Sequence, residues 1–358
     1  MADMFDYLQW RGDILFSQMG VNSVDALVFA SLAYVHYDDV APGPGSAFIT
    51  VRDAAQRLLA LPDAAQRCRV PNDLTLLKAA AQTERFGRVG MTHYISVFDP
   101  DADTQFAGMA FLLEDGSAFL SFRGTDNTLV GWKEDFNMSF RDSVPAQQLA
   151  EEFVRSFAHL SGAPLYLGGH SKGGNLAAYA GAKCGETIQN RILQVYNHDG
   201  PGFTESMMTH EGYLRIVPKI KTFVPQSSVF GMLLEHKEPY EVIRSKHIGI
   251  MQHDPYTWEV MGGDFIRMEE LTADSRFLDR TFDTWLAGMT PEERNQFFDA
   301  MFDLLMLENA SKPKDILRPQ NIKALFQTLQ TDEERRSIIT SVFQELAQAA
   351  FRSQDPQV

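Results

Sequence analysis

The chain has 358 residues and a formal net charge of −15, and 44% of its residues are apolar while 22% are charged. This composition provides enough apolar material for a large core and excludes a disordered or a collagen-like chain. The excess of acidic side chains repels polyanions, so we do not expect nucleic acid to bind.

The amino-terminal part of the chain is predicted to be helical. The first forty residues carry apolar positions at helical spacing, and Ser23 precedes an apolar run as a helix N-cap does. A stretch rich in proline and glycine at 41–46 interrupts this pattern. Residues 50–85 are again half polar with helical spacing, so they are predicted to form further helices.

From Thr92 onward the pattern predicts strands. Two of them, at 106–113 and 117–122, are joined by Asp115-Gly116, which favours a hairpin. After residue 145, predicted helices and strands alternate: helix 146–160, strand 165–168, a helix from Lys172, strand 192–197 and strand 220–224. This alternation predicts an α/β fold with a mainly parallel central sheet and helices on both faces.

Beyond about residue 270 the strand pattern ends. Thr290 and Thr331 each stand three residues before a glutamate, as in a capping box, and apolar residues over 297–305 form one side of the first helix. We therefore expect a sheet domain over 1–265 and a helical region over 266–358. That region is predicted to be an appendage packed on the sheet domain, with a lid or a dimerisation element as the alternative.

The strongest chemical signal is Gly169-His170-Ser171-Lys172-Gly173, which matches G-x-S-x-G. In this motif a tight turn between a strand and a helix exposes a serine hydroxyl at the carboxyl end of a sheet. An apolar strand precedes the motif and a helix of small residues follows it, as the motif requires. The alternatives are a structural glycine turn and a phosphate-binding loop, and the spacing of the latter is absent. We expect Ser171 to be a nucleophile.

A serine nucleophile needs an adjacent base. In a fold of this kind the base follows the serine in the chain, which leaves these candidates: His198, His210, His236, His247 and His253. His253 is the predicted base, because it lies on a loop after the strand at 220–224 among turn residues and aromatic residues. His236 and His247 are the alternatives.

The base in turn needs an orienting acid. Asp199 stands at the carboxyl end of the strand after the nucleophile, and it is the predicted acid. The next strand ends in Gln226-Ser227-Ser228, with no carboxylate at the more usual acid position. Asp254 and Glu235 are the alternatives, and an aspartate that only forms a turn before glycine would also fit Asp199.

A third cluster begins with Phe122-Arg123-Gly124-Thr125, directly after the predicted strand 117–122. Acyl transfer needs hydrogen-bond donors for the developing oxyanion, and the backbone amides of Thr125 and Lys172 are the predicted donors. The Thr125 hydroxyl is a further candidate donor. Arg123 and Asp135 are expected to hold this loop as an ion pair, and an ordinary charged loop is the alternative.

These residues resemble the class 3 lipase branch of the α/β-hydrolases, and more closely a bacterial family of cytosolic lipase-like proteins. The class 3 resemblance is carried by Phe122-Arg123-Gly124-Thr125 with Trp132 and Asp135, by the elbow motif with Gly174-Asn175, and by Gly200-Pro201-Gly202. The closer resemblance is carried by Asp6-Tyr7-Leu8, Trp132-Lys133-Glu134-Asp135-Phe136-Asn137, Val224-Pro225-Gln226-Ser227-Ser228-Val229-Phe230-Gly231-Met232 and Gln252-His253-Asp254-Pro255. The resemblance runs from residue 1 to about 260 and implies an α/β-hydrolase fold. It also implies Ser171 as nucleophile, His253 as base, and Thr125 with Lys172 at the oxyanion hole. It does not transfer the acid, because class 3 lipases place an aspartate where this chain has Gln226-Ser227-Ser228.

The leading functional hypothesis is a serine hydrolase that cleaves a carboxylic ester through an acyl-enzyme. The resemblance suggests lipid-like esters, and the acidic, cytosolic character favours small or intracellular ones. A thioester or amide hydrolase would use the same residues, and a catalytically inactive binding or regulatory module is the alternative from a different class. A membrane-surface protein is disfavoured by the negative charge, and no stable membrane insertion is expected.

No cofactor and no metal are expected, because the chain has no H-E-x-x-H sequence, no paired cysteine spacing and no dinucleotide fingerprint. A cytoplasmic location is expected, because the amino terminus is acidic, no apolar run reaches the length of a membrane span and two cysteines cannot form a disulfide framework.

Five residues are candidates for substrate contact: His170, Phe203, Phe230, Met232 and Trp258. Core packing explains the apolar four equally well.

Overall fold

Eight strands form the central sheet of the described part of the chain, and they lie in the sheet in their chain order. The structure is a computed structural model that describes residues 1–45, 47–126, 128–138, 141–290, 292–294, 296, 340 and 344. The strands of this sheet are β1 (Ile49–Thr50), β2 (Gly90–Asp99), β3 (Thr104–Leu112), β4 (Ala118–Phe122), β5 (Leu165–His170), β6 (Ile192–His198), β7 (Ile220–Pro225) and β8 (Tyr240–Ile243). A separate hairpin consists of β9 (Val260–Met261) and β10 (Asp264–Phe265).

The sheet changes from antiparallel to parallel at β4. Strands β1 to β4 pair with antiparallel neighbours, and β4 to β8 pair with parallel ones. The predicted hairpin between β3 and β4 is present, since the Leu113 amide donates to the Ser117 carbonyl at 2.9 Å and Gly116 has a φ of +84°. The parallel strands need crossover connections, and helices supply most of them.

Helices cover both faces of the sheet. They are α1 (Met4–Arg11), α2 (Ser23–Leu32), α3 (Val51–Leu59), α4 (Pro71–Gln82), α5 (Glu84–Gly87), α6 (Leu129–Asn137), α7 (Pro145–Leu160), α8 (Lys172–Lys183), α9 (Glu186–Gln189), α10 (Glu205–Met208), α11 (Glu211–Ile216) and α12 (Ala273–Ala287). The amino-terminal helices bury their apolar residues in one core against one face of the sheet, and α7, α8 and α11 do so against the other face. The predicted α/β-hydrolase fold, with a mainly parallel sheet between two helical layers, is confirmed.

The N-cap of α2 is Asn22, one residue before the predicted Ser23. The Asn22 side chain accepts hydrogen bonds from the amides of Val24 at 2.9 Å and Asp25 at 3.0 Å, and the Asp25 carboxylate accepts from the Asn22 amide at 3.0 Å. This reciprocal pair is a capping box, and it satisfies amides that the helix itself leaves without partners. Ser23 is also a favourable cap residue, so composition alone did not distinguish the two.

The capping box predicted at Thr290 is present. The Thr290 amide donates to the Glu293 carboxylate at 2.8 Å, and the Glu293 amide donates to the Thr290 hydroxyl at 3.2 Å.

The predicted apolar face at 297–305 and the capping box at Thr331 lie outside the described residues. The division of the chain at residue 265 stays a prediction. In the described part of the chain, no helix has both the length and the hydrophobicity to cross a bilayer.

Candidate active site

Ser171 lies in the turn that joins β5 to α8. Its φ of +58° and ψ of −134° are unfavourable for a residue with a Cβ atom, and such backbone conformations cluster at functional sites. The Ser171 amide donates to the His198 carbonyl at 2.9 Å, and the Gly174 amide donates to the Ser171 carbonyl at 2.8 Å. The next strand and the first turn of α8 therefore hold this residue in place. The strand, turn and helix that the motif requires are present.

Glycine is needed where the loop after β4 meets this turn. A Cβ atom on Gly124 would lie 2.4 Å from the His170 carbonyl oxygen and 3.2 Å from the Ser171 Cβ atom. The loop backbone therefore lies directly against the Ser171 turn. Thr125 follows Gly124, which brings the predicted oxyanion donor into this neighbourhood.

His253 and Asp199 lie close together. His253 Nδ1 is 2.6 Å from Asp199 Oδ2, although 54 residues separate them in the chain. Asp199 follows β6 and is fully buried, while His253 ends a 3₁₀ turn over Gly249–His253 and is 19% exposed at its side chain. The His253 ring packs between the rings of His170 and Phe230, with centroid distances of 4.6 Å and 4.4 Å.

Asp199 is held from both sides. It has a φ of +54°, and its amide donates to the Phe223 carbonyl of β7 at 2.8 Å. Its Oδ1 atom accepts a hydrogen bond from the Ser228 hydroxyl at 2.5 Å. Each carboxylate oxygen thus has its own partner, which fixes the plane of the group. The sequence did not predict the contact of Ser228 with Asp199. The absence of a carboxylate at 226–228, after β7, indicated only that the acid is Asp199, after β6.

His170 is buried beneath His253. Its Nε2 atom lies 2.8 Å from the His253 carbonyl oxygen, and its Nδ1 atom lies 2.8 Å from the Tyr34 hydroxyl. Burial lowers the pKa of His170 well below its ordinary value, with the neighbouring His253 as the next cause. Both ring nitrogens are thus engaged within the protein, and these bonds leave His170 no polar atom to offer a substrate.

The Lys172 side chain is buried and bonds to residues of β3 and α6. Its Nζ atom donates to the Gln105 carbonyl, the Gln105 side-chain oxygen and Glu134 Oε2, each at 2.9 Å. Glu134 also accepts the amides of Gln105 at 3.1 Å and Ala146 at 2.9 Å. This buried pair connects α8, β3 and α6. The Lys172 backbone amide is at the start of α8, where helix amides have no partner within the helix.

Asp135 does not form the expected ion pair with Arg123. Its Oδ1 atom lies 3.8 Å from Lys172 Nζ, and its Oδ2 atom accepts a short hydrogen bond from the Thr125 hydroxyl. Because that hydroxyl donates to Asp135, it is not the free oxyanion donor that the sequence suggested. Burial raises the pKa of Asp135 to about 6, while the Lys172 ammonium opposes this shift. Arg123 instead donates to the Ser96 hydroxyl at 3.3 Å.

The four apolar candidates for substrate contact differ in position. Trp258 is fully buried, and its indole N–H donates to the Gln252 carbonyl at 2.8 Å. Phe203 is buried against the Tyr213 ring. Phe230 and Met232 are half-buried, and the Phe230 ring contacts His253. Of the three aromatic candidates, Phe230 therefore has a ring contact with the candidate base.

The alternative bases are placed differently from His253. His236 Nδ1 lies 3.1 Å from a Glu238 oxygen, and its Nε2 atom lies 2.8 Å from the Gly231 carbonyl. His247 is exposed. His198 is buried with Nδ1 3.2 Å from the Gly169 carbonyl, and burial lowers its pKa to about 4.

The alternative acids have other surroundings. The Asp254 carboxylate accepts the Tyr256 amide at 3.2 Å, and Glu235 is exposed. No group of three His, Cys, Asp or Glu side chains within the described ranges is arranged to hold a metal ion.

The comparisons with known proteins give one family. A family model described as Mbeg1-like matches residues 80–303, which is more than half of the chain. Among solved structures, the crystal structure of M37 lipase is similar with a TM-score of 0.38 and 12% identity, over 58% of this chain and 69% of that one. No protein with a curated description is significantly similar to the chain. The family match includes Ser171, Asp199 and His253 and begins within the last turn of α4.

Proposed function

The chain belongs to the Mbeg1-like family, which is lipase-like, and from this membership and the site geometry we propose that it is a serine hydrolase of carboxylic esters. The observation that carries the proposal is the contact of 2.6 Å between His253 and the buried Asp199, beside a serine on a strained turn. In the proposal Ser171 is the nucleophile, His253 the base and Asp199 the acid.

The first half of the reaction forms an acyl-enzyme. His253 Nε2 takes the proton of the Ser171 hydroxyl as its oxygen attacks the ester carbonyl carbon. His253 Nδ1–H donates to Asp199, so the positive charge that develops on the ring faces a carboxylate. When the intermediate collapses, His253 gives its proton to the departing alcohol oxygen, and the acyl group stays on Ser171. Water attacks this acyl-enzyme in the second half, again with His253 as base.

The developing oxyanion needs donors that are already in place. The backbone amides of Lys172 and Thr125 take this role in the proposal. The contact of Gly124 with the Ser171 turn supports it, because it keeps the loop backbone next to the reacting serine. The Lys172 side chain bonds to Gln105 of β3 and to Glu134 of α6, the helix that follows the same loop.

The test is hydrolysis of a p-nitrophenyl ester series from acetate to palmitate by the wild type and by Ser171→Ala. Removal of the nucleophile is expected to reduce kcat by at least about a thousandfold, because members of such a triad act as a unit. A matched control is Ser227→Ala, since Ser227 lies near the site but its hydroxyl bonds to Thr272 rather than to the His253–Asp199 pair. Turnover by Ser227→Ala is expected to equal that of the wild type.

The chain-length optimum of the series distinguishes a small-ester hydrolase from a lipase-type one. Equal background rates for the wild type and Ser171→Ala on every ester would contradict ester hydrolysis. In that case labelling of Ser171 by a fluorophosphonate decides between the alternatives. A labelled serine would favour a thioester or amide substrate, and an unlabelled one would favour a binding module on a hydrolase fold.

A further inference from the structure

Tyr34 connects the amino-terminal helices to two parts of the candidate site. It follows α2 and is buried, with its hydroxyl 2.8 Å from His170 Nδ1. A Cβ atom on Gly124 would lie only 2.3 Å from the same hydroxyl, so Tyr34 also touches the loop of the proposed oxyanion donor. The Arg69 guanidinium lies over the face of the Tyr34 ring, 4.0 Å from its centroid.

The hydrogen bonds of His170 determine which nitrogen carries its proton. A carbonyl oxygen only accepts, so the contact between His170 Nε2 and the His253 carbonyl requires hydrogen on Nε2. In a neutral ring Nδ1 is then the acceptor, and Tyr34 must be its donor. The Tyr34 hydroxyl therefore donates to His170, and His170 donates to the His253 backbone carbonyl.

The amino-terminal segment holds the His253 loop at other points as well. The Tyr256 hydroxyl donates to Asp73 of α4 at 2.7 Å, and Lys246 Nζ donates to Asp3 at 2.7 Å. The Val260 amide donates to the Ala2 carbonyl at 3.0 Å. The loop is thus attached on both sides of His253 to residues that lie before the family-matched region.

We propose that Tyr34 and His170 form a positioning relay that fixes the backbone of His253 against Asp199. This inference rests on the proposed function. It makes a residue outside the family-matched range 80–303 part of the working site. Tyr34 and His170 are positioning residues, because neither touches the reacting atoms. They act on the step in which the His253 ring must accept a proton from Ser171.

The test compares two buried tyrosines of the same segment. Tyr34→Phe keeps the ring and removes the donor to His170, whereas Tyr37→Phe removes a bond to the Leu32 carbonyl at 3.2 Å that has no connection to His253. Tyr34→Phe is expected to lower kcat about tenfold at nearly constant KM, and Tyr37→Phe is expected to leave both within about twofold of the wild type. The thermal unfolding midpoints of both variants show whether the folded state is kept.

A second pair of variants separates the hydrogen bond from ring packing. In His170→Gln the side-chain amide places an N–H₂ group near the position of His170 Nε2. In His170→Phe an aromatic ring stays against His253, but it has no donor. His170→Gln is expected to retain kcat within about threefold, and His170→Phe is expected to lose at least about tenfold. Equal losses in the two variants would overturn the relay, because the N–H donor that Gln supplies would then have no effect. A larger loss in His170→Gln than in His170→Phe would also overturn it, because ring packing would then be the cause.

The outcomes also separate this inference from the function on which it rests. A wild type that cleaves an ester and is labelled at Ser171 by a fluorophosphonate, with Tyr34→Phe equal to it in kcat and in labelling rate, overturns the relay alone. A wild type that shows neither turnover nor labelling overturns the proposed function, and the relay falls with it.

Discussion

The His93 ring lies between two aromatic side chains and not beside a polar group. It is 1% exposed, it stands edge to face with Phe153 and Phe157, and neither ring nitrogen has a hydrogen-bond partner among the described residues. It occupies an irregularity of β2 between Thr92 and Ile95, with a φ of +54°. Burial lowers the pKa of His93. The same cause lowers the pKa of His198, so the fold holds neutral histidines that ionise on unfolding in acid.

These buried histidines predict acid lability. In the unfolded chain the ring titrates near 6.5, and in the fold it titrates lower, so the unfolded state binds more protons between the two values. The contribution of the neutral buried histidine to folding stability is therefore complete above about pH 6.5, and it is lost as the pH falls below that value. In His93→Phe the slope of the free energy of unfolding against pH is expected to fall by up to about 1.4 kcal/mol per pH unit in this range.

The measurement is urea unfolding of the wild type and His93→Phe at several pH values between 7 and 5. His159→Phe, on the exposed side of α7, is the matched control and is expected to keep the wild-type slope. If His93→Phe kept that slope too, His93 would have no part in the acid lability.

At the scale of elements, a buried ion pair joins the first helices. Arg85 Nη2 and Nε donate to the two Asp25 carboxylate oxygens at 2.6 Å and 2.8 Å, and both side chains are fully buried. Tyr7 of α1 donates to the same carboxylate at 2.7 Å. The Arg85 guanidinium also donates to the carbonyls of Ile14, Met19 and Gly20. The loop between α1 and α2 therefore depends on one guanidinium.

Asp25→Asn is expected to destabilise the protein by about 3–5 kcal/mol, because it leaves the Arg85 charge buried without its counter-charge. Chemical denaturation measures this loss. Glu151→Gln breaks the exposed Arg155–Glu151 pair of α7 by the same type of change, and it is expected to leave the free energy of unfolding nearly unchanged. Similar losses in the two variants would contradict a special role for the buried pair.

Elements whose signal is local were predictable from the sequence. The β3–β4 hairpin follows from Asp115-Gly116, and the Ser171 turn follows from five consecutive residues with a strand before and a helix after them. The contact between His253 and Asp199 was anticipated from the chain order of a triad, but other contacts between distant segments were not predictable, because no pattern in the chain records them. Ser228 beside Asp199 and Tyr34 beside His170 depend on which loops the sheet brings together. The Arg123–Asp135 pair was predicted wrongly for the same reason, since Lys172 reaches Asp135 from another element.

At the scale of the whole molecule, the amino-terminal helices and the sheet share one core. The Phe29 ring of α2 lies 4.7 Å from that of Phe111 in β3 and 4.9 Å from that of Phe119 in β4. The same core reaches Phe223 of β7 and Trp258 after the His253 loop. Removal of the helices would expose this apolar face of the sheet to water, which is unfavourable in proportion to the exposed area.

We therefore expect the amino-terminal helices to unfold together with the sheet. Unfolding curves in urea from far-UV circular dichroism and from tryptophan fluorescence should coincide, as in a two-state transition. Limited proteolysis supplies the control, because an independent segment would be cleaved before the sheet unfolds. Release of a fragment of about residues 1–87 below the main transition would contradict a shared unit.

The burial of Lys172 has a consequence for the chemical lifetime of an acyl-serine. A neutral amine near such an ester attacks its carbonyl and keeps the acyl group as an amide, which ends turnover permanently. The three hydrogen bonds that Nζ donates to Gln105 and Glu134 require three N–H groups, so the nitrogen is an ammonium without a lone pair. In the proposed mechanism, the residue next to Ser171 is thus prevented from taking the acyl group from the acyl-enzyme, so it does not inactivate the site.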